Sequence, residues 1–543
     1  MKRLMLILFF SLSFLTLINA QTVISGKLLG ADGKPMIKEC VVLKKSFGND
    51  VIKTGIIDKN GNYSITVDSS GLWMLVFSGV YHQAVQMALY TDKPEKMEVN
   101  VSLQTYNYVK DFSHLEVTGD FNNWDLKKAV PLVKQPDGIF SAEINAPSDT
   151  VIYRIENAVS NDLVEGTEPC GFVYNGYHGY NSIAAGKEGK VKVSFDTSKL
   201  IESPKEEEVA FKDTNSFISK FSEIYLEMKR NESGFMKEYR EYSASGKDMK
   251  NFKYDFQPEV KKLEGMIKSE KDSILRQELL LSYISLGSYR ANMDSTIALE
   301  AVNKISPSSK IWSLNPYLIT LALHLAHVTG KQYDTYTQEA IDTYPDNQIK
   351  AYILFDKFMR AKLTHKDSLA ARYYDLLVNK YGDTQYGAMV KQRFSPTDNF
   401  KVGSHVPHFS VVSMDDSTKT ITDKTLQGKY YLIDFWATWC GPCVEEMGNM
   451  QKAYEKFKDK GFIILSISMD NTPQAVKKFR SEKWKMPWLN AYLGMDPKNP
   501  IFKKFEVIGI PHPILVNKSG TMVAIDSGLR GDELEKTIAK YLH

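Results

Sequence analysis

The chain is poor in cysteine and has no strong excess of charge of either sign. Only four of its 543 residues are cysteine, which excludes a scaffold stabilised mainly by disulfides, since such scaffolds are rich in cysteine. The formal net charge is +3, and no basic run interleaved with aromatic residues points to nucleic-acid binding. A hydrophobic fraction of 43% is that of an ordinary globular protein. Because one core seldom serves so long a chain, we expect several domains.

Long apolar runs are also scarce, and the one that exists stands at the N terminus. Residues 1–20 read MKRLMLILFFSLSFLTLINA, with two basic residues, an apolar run over 4–17 and the small residue Ala20 at the end. This order is typical of a secretory signal peptide. The run is shorter than the roughly 20 residues that span a bilayer. We therefore predict a periplasmic or otherwise exported protein, soluble after removal of the signal peptide, with a retained membrane anchor as the alternative.

The segment after this run has the pattern of antiparallel β-structure. Stretches such as VISGKLLGADGKPM and TGIIDKNGNYSITV place glycine-containing polar turns between β-branched runs. With Ile57, Asp58, Gly61 and Tyr63, residues 21–103 resemble the carboxypeptidase regulatory-like β-sandwich. The resemblance implies a spacer or scaffold, and carbohydrate or protein binding is the alternative.

A second β-rich segment covers residues 104–200 and contains LEVTGDFNNWDLKKAVPLVKQPDGIFSAEI. It resembles the early-set immunoglobulin-like domains related to glycogen-binding modules. The residues that carry this resemblance are Gly119, Phe121, Asn122, Asn123, Trp124, Pro131, Leu132, Gly138 and Tyr153. The resemblance implies that Trp124 either closes the core or stacks on a sugar ring. We expect packing, with glycan contact as the alternative.

Helical spacing follows a polar stretch, ESPKEEEVAFKD, which we interpret as a linker over residues 202–213. Stretches such as RQELLLSYISLGSYRA carry apolar residues at i, i+3, i+4 and i+7. They predict an α-helical domain over 205–396, whose hairpins resemble tetratricopeptide (TPR) arrays without a clean 34-residue period. His324 and His327 have a spacing that suits a metal, but no acidic or thiol ligand stands near them. We expect ordinary helix packing for both.

Strand–helix alternation marks the last segment, residues 397–543. YYLIDFWA and FIILSISMD predict buried strands, a helix runs from Cys440 towards Lys460, and a hairpin precedes a final helix over 532–542. This order predicts an α/β sheet with helices on both faces. The predicted fold class is therefore multidomain: two β-sandwiches, an α-helical middle domain and a C-terminal α/β thioredoxin fold. The predicted boundaries are 1–20 for the signal peptide, then 21–103, 104–200, 205–396 and 397–543.

Two cysteines, Cys440 and Cys443, lie two residues apart at the start of that helix. A structural zinc site needs four ligands, and the sequence has no second C-x-x-C, so we predict no metal site. A permanent disulfide would close a very short loop and stabilise little. The spacing suits reversible chemistry, because a helix N-terminus lowers the pKa of the Cys440 thiol. Cys443, one turn later, is placed to resolve a mixed disulfide.

The stretch DFWATWCGPC resembles the thioredoxin active site, within a domain similar to the exported, redoxin-type TlpA/ResA-like family. The resemblance implies catalytic roles for Cys440, Cys443 and the buried acid Asp434, which moves a proton from the resolving thiol. The lysine that thioredoxin carries near this acid has no counterpart, since alignment leaves Ser466 there.

The same resemblance implies a substrate surface. Trp439 shields the nucleophile, Gly441 and Pro442 form the turn between the cysteines, and Pro511 in VIGIPHPILV matches the family's cis-proline. The role of the neighbouring His512 stays open between contact with the site and exposure to solvent.

We therefore predict an exported enzyme, a protein-disulfide reductase of the thioredoxin type, without a cofactor. Its partners are disulfide-containing or thiol proteins and an upstream electron donor, a membrane thiol reductase being one candidate. One alternative is a surface protein that binds glycan or protein and carries an accessory redox domain. The other is a peroxiredoxin-type peroxidase, although the P-x-x-x-T-x-x-C pattern is absent. For Cys40 we expect a buried, inert thiol, with a disulfide to Cys170 as the alternative.

Overall fold

The structure is a computed structural model that divides into two compact units, residues 1–227 and residues 228–543. It describes residues 21–36, 40–46, 51–159, 162–167, 169–176, 179–200, 208–245, 251–289, 291–364, 366–394, 400–496 and 499–542. The predicted signal peptide and the side chain of Cys40 lie outside the described residues. Within those residues, no helix is both long enough and apolar enough to cross a membrane.

Eight strands of the first unit build two sheets around one apolar core. They are β1 (Thr22–Leu29), β2 (Cys40–Lys45), β3 (Val51–Thr54), β4 (Ile56–Ile57), β5 (Asn62–Val67), β6 (Gly71–Ser78), β7 (Val85–Thr91) and β8 (Lys96–Ser102). Neighbours run β8-β1-β5-β4 in one sheet and β3-β2-β6-β7 in the other. Alternating residues of β8, such as Val99, meet Phe77 and Met87 of the opposite sheet in the core.

Nine further strands follow among the described residues, also in two sheets. They are β9 (Glu116–Gly119), β10 (Val130–Pro131), β11 (Val133–Lys134), β12 (Phe140–Asn145), β13 (Thr150–Val159), β14 (Asp162–Val164), β15 (Gly171–Tyr174), β16 (Tyr180–Ala185) and β17 (Lys190–Phe195). The orders are β10-β9-β13-β16-β15, with β14 beside β13, and β11-β12-β17. Val117, Tyr153 and Phe195 lie fully buried in their shared core.

Trp124 does not belong to this core, so the expectation that it packs is wrong. Its side chain is 38% exposed. Asn123 and Trp124 both have a positive φ, 55° and 58°, and two consecutive left-handed residues turn the chain sharply after β9. The turn leaves the indole at the surface instead of between the sheets.

Part of the predicted linker is a strand. Residues 208–211 form β18 (Glu208–Phe211), which pairs antiparallel with β8 at the edge of the first sheet. The residues of β18 alternate between exposed and half-buried, the period expected of a strand with one covered face. The polar composition of this stretch therefore hid a short strand whose residues alternate between exposed and half-buried positions.

A helical segment follows, as the apolar spacing predicts, with nine α-helices among its described residues. They are α1 (Phe217–Ala244), α2 (Gln257–Ser269), α3 (Ser273–Gly287), α4 (Ser295–Lys304), α5 (Leu318–Leu325), α6 (Gly330–Thr343), α7 (Asn347–Leu363), α8 (Asp367–Asn379) and α9 (Gln385–Arg393). Asp272, Asp294 and Asp346 each accept a backbone N–H at the start of a helix. His324 and His327 are exposed, and α5 ends before His327. The expectation that both histidines pack between helices is therefore wrong.

The C-terminal segment forms an α/β sheet. Its elements are β19 (Ser410–Val412), β20 (Thr420–Thr422), β21 (Tyr430–Trp436), α10 (Gly441–Phe457), β22 (Phe462–Ser468), α11 (Pro473–Glu482), β23 (Leu489–Tyr492), α12 (Pro500–Lys504), β24 (His512–Val516), β25 (Met522–Ile525) and α13 (Asp532–Tyr541). The order is β23-β22-β21-β24-β25. The first three run parallel, and β24 and β25 run antiparallel to their neighbours. This is a thioredoxin-like fold, in which α10, α11 and α13 cover one face and α12 covers the other.

The helices of the second unit pack directly on this α/β segment. Lys362 of α7 forms an ion pair with Glu506, with 2.8 Å between Nζ and Oε2, and both side chains are largely buried. The guanidinium of Arg393 lies over the ring of Phe502, 4.5 Å from its centroid. These contacts fix the helical segment against the α/β sheet.

Candidate active site

The central strand β21 delivers an acid to the face covered by α10. Successive residues of a strand point to opposite faces, so Asp434 shares a face with Leu432 and Trp436. Those two residues belong to the same buried cluster as Cys443. Asp434 itself is 3% exposed. The strand therefore places a carboxyl beneath the helix that carries the cysteine pair.

The cysteine pair lies where β21 passes into α10. Cys440 is the N-cap residue, and the backbone N–H of Cys443 donates to its sulfur at 3.2 Å. The two sulfurs form a disulfide, with 5.2 Å between the Cα atoms. Cys440 is 5% exposed and Cys443 is 1% exposed. Cys440 is the less buried of the two, which is the asymmetry expected of a nucleophile and its resolving partner.

The loop that precedes β24 lies against the cysteine pair. The Ile510–Pro511 peptide bond is cis. The carbonyl oxygen of Ile510 lies 3.6 Å from the sulfur of Cys440. Arg530 holds this loop, since its Nη2 donates to the carbonyl oxygen of Pro511 at 2.6 Å.

Burial raises the pKa of Asp434 to about 7, because a carboxylate in this apolar surrounding loses its hydration. His512 and Arg530 oppose the rise, and Glu446 adds to it. The strand register places Ser466 beside Asp434, as the alignment predicted. Ser466 is fully buried and accepts a hydrogen bond from the indole of Trp488 at 2.9 Å. No cation therefore occupies this neighbouring position.

His512 is buried and does not point to solvent. Its Nδ1 lies 2.8 Å from Oδ1 of Asp526, and its Nε2 lies 3.0 Å from the carbonyl oxygen of Phe505. It pairs with Phe435 across the two strands, on the face opposite Asp434. His512 therefore supports the start of β24 from the far face of the sheet.

The sequence pattern did not reveal Arg530, and it did not reveal Asp470 either. Asp470, at 1% exposure, accepts hydrogen bonds from the backbone N–H and the hydroxyl of Thr438 at 3.0 and 2.5 Å. It also accepts one from Ser468 at 2.8 Å. Asp470 thus fixes the loop that leads into the cysteine pair. The available signal was its place just after β22, since parallel neighbours such as β21 and β22 end at the same edge of a sheet.

The surface around the pair is apolar. Trp439 is 54% exposed, Ile508 is 41% exposed, and Pro442 is exposed as well. Large exposed apolar side chains grouped around a reactive atom are typical of a surface that receives another molecule.

The other two cysteines do not extend this site. Cys170 is an exposed free thiol whose sulfur lies 3.1 Å from the carbonyl oxygen of Ile183. The alternative of a disulfide between Cys40 and Cys170 is therefore wrong. Among the described residues, no cluster of three or more histidine, cysteine or acidic side chains has the geometry of a metal site.

The C-terminal segment is similar to known proteins. The model of the AhpC/TSA family matches residues 402–525. The thiol-disulfide oxidoreductase ResA of Bacillus cereus is 31% identical over 150 residues, which are 27% of this chain and 81% of the relative. ResA of Bacillus subtilis is 29% identical over 153 residues, 28% of this chain and 80% of the relative.

Solved structures include a similar domain. The thioredoxin domain of a thiol-disulfide oxidoreductase from Bacteroides vulgatus is 33% identical and covers 26% of this chain and 99% of its own, with a TM-score of 0.25. The two ResA proteins are likewise matched over most of their length. The C-terminal segment is therefore a thioredoxin-like domain of the AhpC/TSA family, and through it the chain belongs with the ResA proteins and is a thiol-disulfide oxidoreductase.

Proposed function

We propose that the chain is an exported enzyme that reduces protein disulfides through the pair Cys440 and Cys443. One observation carries the proposal: a disulfide lies at the N-terminus of α10, its first cysteine is 5% exposed and its second 1%, and a buried acid lies on the same face of the sheet. The helix N-terminus stabilises the Cys440 thiolate that forms on reduction.

The reaction consists of two exchanges. The Cys440 thiolate attacks one sulfur of a client disulfide, the client's S–S bond breaks, and its second sulfur leaves as a thiolate. Cys443 then attacks the Cys440 sulfur and breaks the mixed disulfide, so that the client leaves with two electrons and both of its sulfurs reduced. The disulfide between Cys440 and Cys443 re-forms. An upstream dithiol donor must reduce it again, and a membrane thiol reductase is our candidate for that donor.

Asp434 serves the second exchange. Cys443 is almost fully buried and needs a base to become a thiolate. Asp434 lies on the same face of the sheet, and burial raises its pKa to about 7. A carboxyl with this pKa takes up and releases a proton near neutral pH, as general acid–base catalysis requires.

Clients approach across the apolar surface. Trp439 and Pro442 offer exposed apolar contacts, Gly441 and Pro442 form the turn between the cysteines, and Pro511 lies in the loop that approaches Cys440. The Gly-Pro dipeptide resembles that of reducing thioredoxins, which favours reduction over oxidation.

The remaining segments present this site to its clients. We propose that residues 21–103 and 104–200 form β-sandwich scaffolds and that residues 205–396 form a TPR-like helical array. The chain reaches the periplasm or another exported location after cleavage of residues 1–20.

Trapping tests the proposal. In the Cys443→Ala variant the mixed disulfide cannot be resolved, so Cys440 should retain clients in adducts that dithiothreitol releases. The Cys170→Ala variant, which removes an exposed thiol outside the site, should trap nothing. Wild-type protein should also reduce insulin. Absence of every reducible adduct, or consumption of peroxide in place of disulfide reduction, would contradict the proposal.

A second candidate function is favoured by Trp124. Its indole is 38% exposed, in a segment that resembles glycogen-binding modules, and exposed aromatic rings stack on sugars. We therefore propose glycan contact through Trp124 in addition to the redox activity. A glycan array should detect binding that Trp124→Ala abolishes, and equal signals from both proteins would exclude this contact.

A further inference from the structure

A tyrosine of the helical segment stands against the turn between the two cysteines. A Cβ placed on Gly441 would collide with the hydroxyl of Tyr239, and the Cζ atom of that ring would lie 3.6 Å away. Leaving aside chain neighbours and the helix's own backbone, no other described residue has an atom within 4 Å of that position. Tyr239 belongs to α1, about 200 residues before the cysteines. The glycine therefore admits a side chain from another part of the same unit to the edge of the active site.

Tyr239 is held by its aromatic neighbours. Its ring stacks on Phe235, with 5.9 Å between centroids, and meets the edge of Phe252 at 5.4 Å. Phe235 in turn packs on Phe256 at 5.5 Å and on Tyr289 at 4.7 Å. Phe256 is 4% exposed, so the cluster is anchored in the interior. Packed rings of this kind fix the direction in which Tyr239 points.

Other helices of the same unit are attached to the α/β sheet. Lys362 of α7 forms a largely buried ion pair with Glu506, and Arg393 of α9 stacks on Phe502. The aromatic cluster of Tyr239 belongs to the same compact unit, so we treat Tyr239 as a wall on one side of the site.

This wall narrows the approach to Cys440. The residue is only 5% exposed. The Ile510 carbonyl lies 3.6 Å from its sulfur, and Tyr239 bounds the site at Gly441. Trp439 and Ile508 stay open to solvent at 54% and 41% exposure. A client therefore reaches the sulfur past the exposed apolar side chains of Trp439 and Ile508, while Tyr239 blocks the side next to Gly441.

We propose that Tyr239 is a specificity-determining residue, which restricts Cys440 to small disulfides and to disulfides in flexible chain segments and slows attack on disulfides in folded proteins. The inference rests on the proposed disulfide reduction and assigns its client class. It also gives the helical segment a part in choosing the substrate.

The test compares two substrates in the full-length protein. Reduction of glutathione disulfide measures the chemistry, and reduction of insulin measures access by a folded protein. Tyr239→Ala should raise kcat/KM for insulin about tenfold and leave that for glutathione disulfide within twofold. Tyr239→Phe keeps the ring and should behave as wild type. Tyr242→Ala, a truncation on the same helix, removes a ring that also contacts Phe252 and should leave the ratio of the two rates unchanged.

Three results would overturn the proposal. The first is an unchanged ratio of the kcat/KM values for insulin and glutathione disulfide in Tyr239→Ala. The second is a loss of insulin reduction in this variant, which would make Tyr239 a docking contact. The third is a change in its reduction potential that accounts for both rates. Alkylation of reduced Cys440 gives a second measurement: Tyr239→Ala should accelerate a polymer-linked maleimide more than iodoacetamide, and equal acceleration would contradict a wall. If wild-type protein reduces neither glutathione disulfide nor insulin, the proposed function itself falls. If it reduces insulin but not glutathione disulfide, the preference for small disulfides falls. If it reacts and the variant has the wild-type ratio, only the role of Tyr239 falls.

Discussion

Replacing Asp434 with asparagine should change both the stability and the chemistry of the protein in a pH-dependent way. The carboxyl is 3% exposed, and burial raises its pKa to about 7. Asparagine has nearly the same shape and cannot ionise. The variant therefore removes the charge and the proton transfer while keeping the packing beneath α10.

The sign and size of the stability effect follow from the two pKa values. In the unfolded chain the carboxyl loses its proton near pH 3.8, whereas in the native state it keeps it up to about pH 7. The native state therefore binds more protons between these values, and stability declines as pH rises through this window. A difference of about 3 pH units corresponds to about 4 kcal/mol at 1.36 kcal/mol per unit. Above pH 7 this loss of wild-type stability is complete, and below pH 3.8 it is absent.

The measurement is the free energy of unfolding of wild type and Asp434→Asn from pH 4 to pH 8. Because a chain with two compact units need not unfold in one step, urea unfolding is followed by hydrogen exchange in peptides from residues 430–468. The free energy of unfolding of the variant, relative to that of wild type, should rise by about 4 kcal/mol from the acidic to the neutral end of this range. Comparing the two proteins at each pH cancels the titration of groups elsewhere.

The chemistry supplies the second half of the test. Asp434→Asn should slow resolution of the mixed disulfide tenfold or more at pH 7, and the rate should lose its inflection near pH 7. Glu278→Gln is the matched control, since Glu278 is 1% exposed in α3 and burial raises its pKa well above the usual value. This control should alter the pH dependence of stability but not the rate of resolution. A stability difference that stays flat within about 1 kcal/mol from pH 4 to pH 8 would refute the raised pKa, and an unchanged rate profile would refute the proton transfer.

Three further predictions concern the groups around the pair. Cys443→Ala should abolish turnover of insulin but not formation of the first mixed disulfide, and turnover above a few per cent of wild type would exclude Cys443 as the resolving cysteine. Asp470→Ala should cost about 3 kcal/mol, because the Thr438 and Ser468 donors lose a buried acceptor; a melting temperature equal to that of wild type would contradict this. Arg530→Met should lower kcat/KM for insulin severalfold by releasing the Pro511 carbonyl, and a change in stability without a change in kcat/KM would make Arg530 merely structural.

Sequence periodicity predicted much of the C-terminal fold, because its elements have strong local signals. The buried strands β21 and β22, the helix α10 that begins at the cysteine pair, and the final helix α13 all lie where the sequence predicts them. By contrast, β23 and α12 lie in a stretch without clear periodicity and were not predicted.

Two expectations about exposure were wrong. Trp124 and the histidine pair His324 and His327 were assigned to packed positions from residue type and spacing alone. Trp124 and His327 lie where the backbone leaves its regular path, with left-handed φ values of 58° and 54°, whereas His324 lies within α5 on its exposed side. Local turns of this kind are decided by how the neighbouring elements pack, and a spacing rule carries no information about them.

By itself, the sequence indicated the chemistry of this protein. It contains a C-x-x-C pair at a strand-to-helix junction and an acid six residues earlier, on the strand that leads to this junction. These relations are local, so strand and helix periods are enough to place them. Only the tertiary structure brought Asp470, Arg530 and Tyr239 to the pair, across about 30, 90 and 200 residues of chain. Such distant contacts depend on strand order and on the packing of whole elements, and no local pattern in the sequence encodes them.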